Sequence, residues 1–128
     1  MVDVLLDTHV FIWWDARSPR LGETAKGLIS APANRVFVSA ASIWEVAIKR
    51  GLGKLAFARS PTFAIQANSL VELAISGADC ESAGELEWDH ADPFDRLIVA
   101  QALRRSLTLI TADDVMQRHM GVAVVPAN

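Results

Sequence analysis

Apolar, β-prone runs alternate along the chain with segments that have helical spacing. We predict strands over residues 2–6, 36–38, 71–75, 107–110 and 122–125. We predict helices over residues 10–14, 22–30, 43–50 and 93–105, and a further helix that begins at Ser60-Pro61. Candidate N-caps stand at the helix starts, namely Asp7, Ser39 or Ser42, and Ser60.

Strands that alternate with helices form βαβ units and therefore a largely parallel sheet. The run Val4-Leu5-Leu6 has no polar alternation, as expected of a strand that is buried on both faces. We therefore predict an α/β fold, a three-layer α/β/α sandwich with a mainly parallel five-stranded sheet. No repeat or linker interrupts the pattern, so residues 1–128 are predicted to form a single domain.

The composition excludes several classes of protein. Of the 128 residues, 52% are hydrophobic, enough for a sizeable core, and Cys80 is a lone cysteine. A single thiol excludes an intramolecular disulfide framework and a zinc site built on several thiolates, so we expect Cys80 to be an inert buried residue. No apolar run approaches the roughly 18 residues of a membrane span, and the N-terminus has no basic secretory region. We expect a cytoplasmic domain with no membrane partner.

The net charge of −3 hides an uneven distribution. Residues 79–95 contain seven Asp and Glu and no Lys or Arg, whereas the segments on either side have a small excess of basic residues. Three of these acids, Glu81, Glu85 and Glu87, are expected to lie in a solvated loop. The alternative is a metal site beside a phosphate-binding surface.

Acidic residues stand close to the ends of the predicted strands. Asp7 comes directly after the first strand, and Glu45 lies in the helix after the second. Asp92 and Asp95 open the helix before the fourth strand, and Asp113 follows that strand. Because the carboxyl ends of parallel strands share one edge of the sheet, these carboxylates are expected to converge there.

Each of these acids also has a structural alternative. Asp92, with Pro93 after it, fits an N-cap, and Glu45 could pair with Lys49 on its own helix. If they converge, two carboxylates 4 Å apart repel by about 4 kcal/mol at an effective dielectric constant near 20, so such a cluster takes up protons or binds a cation. Oxygen ligands favour Mg²⁺ or Mn²⁺, and a cation held in this way suits the hydrolysis of phosphodiesters. The residues alone therefore indicate a metal-dependent, phosphate-processing enzyme.

Four segments resemble the motifs of the PIN-domain family, and in particular those of its VapC-like toxins from bacterial and archaeal toxin–antitoxin pairs. They are Leu5-Leu6-Asp7-Thr8-His9, residues 39–54 (SAASIWEVAIKRGLGK), residues 90–103 (HADPFDRLIVAQAL) and residues 109–113 (LITAD). The resemblance implies an α/β/α sandwich and an endoribonuclease that depends on Mg²⁺ or Mn²⁺. Its products would carry a 5′-phosphate and a 3′-hydroxyl.

The resemblance also implies roles for the four matched acids, which would be catalytic. Asp7, Asp95 and Asp113 would hold one or two metal ions, directly or through water. Glu45 would complete the second metal position or orient the attacking water.

Other positions would support this site. Asp92, Thr8 and Thr111 are possible accessory residues, whereas Asp114 has no counterpart and is expected to be a helix N-cap. The candidate contacts to the RNA phosphates are basic, namely Lys49, Arg50, Lys54 and Arg96.

The implied partners are an RNA substrate, a small cognate antitoxin and a second copy of the chain in a homodimer. Phe11, Trp13 and Trp14 are expected to form an apolar surface for an amphipathic antitoxin segment, whose Arg or Lys would enter among the carboxylates. Trp44 is expected to be a core or interface residue, with stacking on a base as the alternative. His90 and His9 are expected to make turn or cap contacts.

Two other functions stay open at this point. A binding module could use the acids only to hold a structural ion, or could bind an antitoxin without turnover. A phosphotransfer domain of receiver or haloacid-dehalogenase type would have a similar length and fold. A receiver domain needs adjacent acids after the first strand and a late Lys, and the phosphatase needs Asp-x-Asp-x-Thr, where this chain has His9 in the third position.

Overall fold

Strands and helices alternate through the part of the chain that the computed structural model describes, residues 1–118 and 121–128. Its strands are β1 (Asp3–Leu6), β2 (Arg35–Ser39), β3 (Val71–Leu73), β4 (Thr108–Thr111) and β5 (Val124–Pro126). Its helices are α1 (Thr8–Ala16), α2 (Glu23–Ser30), α3 (Ala40–Gly51), α4 (Pro61–Ala67), α5 (Gly77–Glu85), α6 (Pro93–Arg105) and α7 (Asp114–Gln117). None of these helices combines the length and the apolar character needed to cross a membrane.

All five strands are parallel and belong to one sheet in the order β3-β2-β1-β4-β5. β1 lies in the centre, where Leu5 is in register with Phe37 of β2 on one side and with Leu109 of β4 on the other. Val4, Leu5 and Leu6 are fully buried, which explains their uninterrupted apolar run. The predicted five-stranded parallel sheet is confirmed.

Helices cover both faces of this sheet and form two separate cores. On one face, Val4 and Leu6 belong to a cluster with Phe11 of α1 and with residues of α2 and α4. On the other face, Leu5 belongs to a cluster with Ile98 of α6 and with residues of α7. Alternate side chains of β1 therefore serve opposite cores. The chain is a three-layer α/β/α sandwich, as predicted.

Three neighbouring strands lead into helix N-termini at one edge of the sheet. Asp7 follows β1 and caps α1, Ser39 ends β2 and caps α3, and Asp113 follows β4 and caps α7. Because β2, β1 and β4 are parallel neighbours, these three caps stand along the same carboxyl edge. The fold thus brings residues from distant parts of the sequence to one end of the sheet.

The acidic segment differs from the prediction. Residues 77–85 form helix α5, which begins with a capping box between Ser76 and Asp79, rather than a loop. Asp79 is fully buried. Two glycines and few apolar residues give this helix no apolar stripe, so its period is not visible in the sequence.

Three further expectations are wrong for local reasons. Asp113 rather than Asp114 caps α7, because the helix begins at Asp114 itself. Phe11 is fully buried in the first core and therefore forms no outer surface. Cys80 is exposed on α5 instead of being buried.

Candidate active site

Asp7 is fixed on both sides by hydrogen bonds at the end of β1. Its backbone N–H donates to the carbonyl of Ile110 at 3.0 Å. Its Oδ1 accepts from the backbone N–H of Thr8, and its Oδ2 accepts from Thr111 Oγ1, each at 2.7 Å. Burial raises the pKa of Asp7, although these two hydrogen bonds lower it. The Thr111 hydroxyl therefore orients a carboxylate that burial would otherwise tend to protonate.

Glu45 lies on the inner side of α3, where it is buried. Its Oε1 accepts from Thr8 Oγ1 at 2.7 Å, and its Oε2 accepts from Lys49 Nζ at 2.8 Å. Ser42 Oγ lies 2.9 Å from the same Thr8 hydroxyl. Thr8 thus links the first turn of α1 to α3. The ion pair between Glu45 and Lys49, which the sequence offered as a structural role for Glu45, is present.

Asp92 and Asp95 have different partners in the first turn of α6. Asp92 Oδ1 accepts from the backbone N–H groups of Phe94 at 2.9 Å and Asp95 at 3.1 Å, which is the expected cap geometry. The side chain of Asp95 does not form the return hydrogen bond of a capping box. Its Oδ2 instead lies 2.7 Å from His90 Nε2. Asp95 is therefore held by a side chain from the segment before the helix.

Asp95 is also the acid most affected by its neighbours. Burial, with the negative charges of Asp7, Asp92 and Asp113, raises the pKa of Asp95 to about 6, although the hydrogen bond with His90 lowers it. The same hydrogen bond raises the pKa of His90. Carboxylates that follow β1, open α6 and follow β4 are therefore close enough to repel one another.

Lys49 joins the acid of α3 to those of α6. The hydrogen bond with Glu45 raises the pKa of Lys49, and the charges of Asp92 and Asp95 raise it further. The predicted convergence of the strand-end acids is thus present in the structure. The acids brought together are Asp7, Glu45, Asp92, Asp95 and Asp113.

The donor chemistry of this cluster fits a hard divalent cation. Asp7, Asp95 and Asp113 offer carboxylate oxygens, the ligands that Mg²⁺ and Mn²⁺ prefer. Burial first, and then the charges of Asp7, Asp92 and Asp113, raise the pKa of Asp95, and a bound cation would favour its ionised form. Among residues 1–118 and 121–128, no three His, Cys, Asp or Glu side chains are already arranged around one centre as metal ligands. The donor types fit the cation, and the ligand geometry is not preset.

Comparison with known proteins decides the family. The PIN domain family matches residues 4–121, which is most of the chain. The chain belongs to the PIN-domain family. Ribonuclease VapC22 of Mycobacterium tuberculosis is 31% identical over 122 residues, which cover 93% of each protein. The family expected from the four motifs is therefore confirmed.

Solved structures show the same PIN fold. VapBC2 from Rickettsia felis, crystallised with a promoter DNA fragment, matches with a TM-score of 0.72 at 16% identity and covers 99% of this chain and 100% of that one. DNA-bound VapBC from Salmonella typhimurium matches with a TM-score of 0.67 at 18% identity over 100% of both chains. At these identities the likeness carries the fold alone.

The basic residues expected around the PIN site differ in how available they are. Lys54 is exposed, Arg50 donates to the carbonyl of Arg59 at 3.2 Å, and Lys49 is paired with Glu45. The guanidinium of Arg96 directs all five of its N–H donors to backbone carbonyls of residues 83–90. The expectation that Arg96 contacts RNA is therefore corrected, because no donor is left over for a phosphate.

Sequence reasoning does not find two contacts of the PIN site. Ser42 is expected only as a possible helix cap, but Ser39 caps α3 and Ser42 lies against Thr8. His90 is expected in a turn contact, whereas its ring bonds Asp95 five residues later. A spacing of five residues matches neither the helix nor the strand period. The only sign of this contact in the sequence is that His90 stands close to the acids of the motif.

The tryptophans of the PIN domain differ in exposure, and this only partly matches the prediction. Trp44 is 59% exposed and packs edge-on against Phe94, with 5.3 Å between ring centroids. It is therefore not a core residue. Trp13 and Trp14 are half-buried and line a cleft of about 430 Å³ together with the basic residues Arg17 and Lys26.

Proposed function

We propose that this chain is a metal-dependent endoribonuclease and the toxin of a VapBC-like toxin–antitoxin pair. The observation that carries the proposal is the cluster of buried or half-buried carboxylates at the carboxyl edge of the sheet, with the pKa of Asp95 raised to about 6. An acid cluster of this kind suits a divalent cation and phosphodiester hydrolysis. The identity of 31% with a ribonuclease supports the same activity.

Asp7, Asp95 and Asp113 would hold Mg²⁺ or Mn²⁺ through their carboxylate oxygens. The bound ion would neutralise charge on the phosphoryl group and lower the pKa of an attacking water. Thr111 keeps Asp7 turned towards this edge by donating to its Oδ2. His90 holds Asp95 in one orientation through its Oδ2.

Glu45 would orient the attacking water or accept its proton. One oxygen of Glu45 is held by Thr8 and the other by Lys49, so the carboxylate has a fixed direction. A proton accepted there would weaken the ion pair and free the Lys49 ammonium for the phosphate. Attack in line with the leaving oxygen would leave a 5′-phosphate and a 3′-hydroxyl.

The RNA would approach over the C-terminal half of α3. Lys49, Arg50 and Lys54 stand near its end, where cations are also favoured by the helix dipole. These groups would attract the phosphates to an otherwise acidic pocket. The RNA substrate and the antitoxin are both expected in the cytoplasm, which supports that location for the chain.

The cognate antitoxin would dock at the cleft beside Trp13 and Trp14. This cleft replaces the surface expected around the buried Phe11, and its rim carries Arg17 and Lys26. It lies at the C-terminal end of α1, whose nine residues span about 13 Å from the Asp7 cap. An amphipathic antitoxin segment that filled the cleft could extend along α1 and place an Arg or Lys among the carboxylates.

A homodimer is the expected assembly. Trp44 and Ile48 of α3 and Leu52, the residue that follows the helix, are spaced four residues apart and are all exposed, so they form an apolar stripe. A second copy that covered this stripe would remove it from water. Sedimentation of the wild-type chain and of the Ile48→Glu variant measures this, and a wild-type monomer would contradict it.

The decisive experiment for the activity is cleavage of structured and single-stranded RNA by the purified chain. We expect cleavage with Mn²⁺ and none with EDTA, and products that carry a 5′-phosphate. Asp114→Asn is the matched control, since this acid is exposed at the start of α7. Cleavage that persists in EDTA would overturn metal dependence. Binding of RNA or antitoxin without cleavage under any condition would favour the scaffold function instead.

The toxin role has its own test, which is expression with and without the neighbouring small open reading frame. We expect growth arrest only when that frame is absent, and a small protein that purifies with the chain when it is present. Equal growth in both cases, with no bound peptide, would contradict the toxin role and leave the nuclease activity intact.

A further inference from the structure

We propose that Arg96 is a positioning residue of the active site: it ties the segment before α6 to the helix and thereby holds His90 against Asp95. This inference rests on the proposed function of Asp95. Arg96 follows Asp95 directly on the helix, but neighbouring residues on a helix point in different directions. Arg96 therefore acts on Asp95 through the preceding segment.

The guanidinium of Arg96 is saturated by backbone carbonyls. Nε donates to Ala83 at 2.9 Å, and Nη2 donates to Leu86 at 2.9 Å and to Gly84 at 3.4 Å. The carbonyls of residues 83 and 84 belong to the last turn of α5, where a helix leaves its acceptors unsatisfied. Arg96 thus closes the C-terminal end of α5 from a position in the first turns of α6.

The remaining nitrogen reaches the residues next to the site. Nη1 donates to the carbonyl of Trp88 at 2.6 Å and to that of His90 at 2.9 Å. The rings of these two residues pack together, with 4.7 Å between their centroids. One nitrogen of Arg96 therefore fixes the backbone of both residues of this aromatic pair.

This pair carries the contact to the carboxylate. Residues 86–92 form neither helix nor strand, so no ladder of backbone hydrogen bonds holds His90 in place. Its ring nevertheless lies 2.7 Å from Asp95 Oδ2. Fixing the backbone of His90 therefore fixes the partner of Asp95, and groups that orient a ligating carboxylate in this way affect metal binding and rate.

Only arginine has the donors for this arrangement. Five N–H groups in one plane serve five acceptors, whereas a lysine ammonium has three donors at a single point. Arg96→Lys keeps the charge and loses at least two of the five hydrogen bonds. The variant therefore distinguishes the effect of the donor arrangement from the effect of the positive charge.

The first measurement is made by NMR and needs neither RNA nor metal. In the metal-free wild-type protein, we expect the Arg96 side-chain N–H groups to give separate NMR signals that exchange slowly with water. In the Arg96→Lys variant, we expect faster exchange of the amides of residues 86–92 and a shifted His90 Nε2 resonance. Averaged Arg96 signals in the wild-type protein, or an unchanged His90 resonance in the variant, would overturn the proposal.

The second measurement is a double-mutant cycle on RNA cleavage. We expect Arg96→Lys and His90→Ala each to lower kcat by about 10- to 100-fold, with KM changed by less than about threefold. If Arg96 acts through His90, the double variant is no slower than His90→Ala by more than about twofold. Losses that multiply in the double variant would overturn the proposal.

Arg105→Lys is the matched control, because this arginine lies on the same helix and binds Asp79 away from the site. We expect it to lower the melting temperature with kcat unchanged. An equal loss of kcat in this control would mean that Arg96 affects the rate only through the stability of the fold, and this would overturn the proposal. A wild-type chain that cleaves no RNA would contradict the proposed function, while the NMR measurements would still test the link from Arg96 to His90.

Discussion

A buried carboxylate and a half-buried one on the α5–α6 side of the molecule have opposite surroundings. Asp79 of α5 accepts hydrogen bonds from Arg104, from both Nη atoms of Arg105 and from Gln101 Nε2. The hydrogen bonds with Arg105 are the main reason that the pKa of Asp79 is well below its usual range. Asp95 of α6 has His90 as its partner and a pKa raised to about 6.

The two acids differ in how far neighbouring positive groups compensate their charge. Two arginines balance Asp79, so this acid fastens α5 to the end of α6 and has no reason to bind a further cation. Asp95 is half-buried beside other acids, and burial together with their negative charges raises its pKa more than the His90 hydrogen bond lowers it. An acid cluster whose repulsion is tolerated by the fold is the kind of place where a metal ion or a cationic partner binds.

Removing the charge of Asp95 should have the largest effect. Asp95→Asn is expected to abolish RNA cleavage, because the amide is a poor ligand and carries no charge. The metal-free variant should be as stable as the wild-type protein or more stable, since one repelling charge is gone. Cleavage assays with Mn²⁺ and urea unfolding in EDTA measure the two effects. Wild-type cleavage by this variant would remove Asp95 from the site.

The same substitution at Asp79 should have the opposite outcome. Asp79→Asn leaves two arginines facing a neutral partner, and we expect a loss of about 3 kcal/mol in the free energy of unfolding. Cleavage at a temperature where the variant is folded should stay within about twofold of the wild-type rate. Urea unfolding and cleavage assays test this pair of expectations. Lost cleavage in a fully folded variant would mean that α5 contributes to the site.

The two acids should also respond to pH in opposite directions when no metal is bound. The pKa of Asp95 rises from 3.8 to about 6 on folding. Its ionised form therefore destabilises the fold, fully above pH 6 and not at all below the unfolded value. The free energy of unfolding should rise by about 2 kcal/mol as the pH falls from 6.5 to 4.

Asp79 contributes the reverse dependence. Its lowered pKa gives stability that is complete above its usual value of 3.8 and is lost as the pH falls below it. Unfolding titrations in EDTA at pH 3 to 7 should therefore show a maximum near pH 4. The rise between pH 6.5 and 4 should be reduced in Asp95→Asn. An equal rise in that variant would assign the effect to another group.

The smallest effect is expected at Asp92, which caps α6 as a structural residue and also lies near Asp95. Asp92→Asn keeps the acceptor for the first turn of α6 and should fold and cleave almost as the wild-type protein does. Asp92→Ala should cost about 1 kcal/mol of stability. Thermal melting with parallel cleavage assays distinguishes them. A strong loss of cleavage in the Asn variant, with unchanged melting, would make Asp92 a metal ligand.

The elements with clear local signals could be predicted from the sequence. Val4-Leu5-Leu6 has the apolar run of a buried parallel strand, and Ser60-Pro61 has both the cap and the first-turn proline of a helix. The acids after the strands could be assigned to one edge because the parallel topology alone determines where strands end. These features depend on residues close together in the chain.

The remainder depends on long-range partners that no local pattern reveals. Asp79 looks like part of a solvated acidic loop until Arg104 and Arg105 are packed against it. In the sequence Arg96 is a basic residue next to Asp95, and only the structure shows that the carbonyls of residues 83–90 surround it. Phe11 and Trp44 are both aromatic residues in apolar helices, and only the packing distinguishes the core from the surface.

The hydrogen bond between Thr111 and Asp7 joins residues 104 positions apart. During translation at about 5–20 residues per second, Thr111 is added about 5–20 s after Asp7. Until then the growing chain has Asp7 without its hydrogen-bond partner and β1 without β4, its neighbour in the sheet. The cluster is therefore completed only after the chain has been made as far as Asp113. A chain that stops before β4 therefore lacks both the Thr111–Asp7 hydrogen bond and Asp113, and its candidate site is not formed.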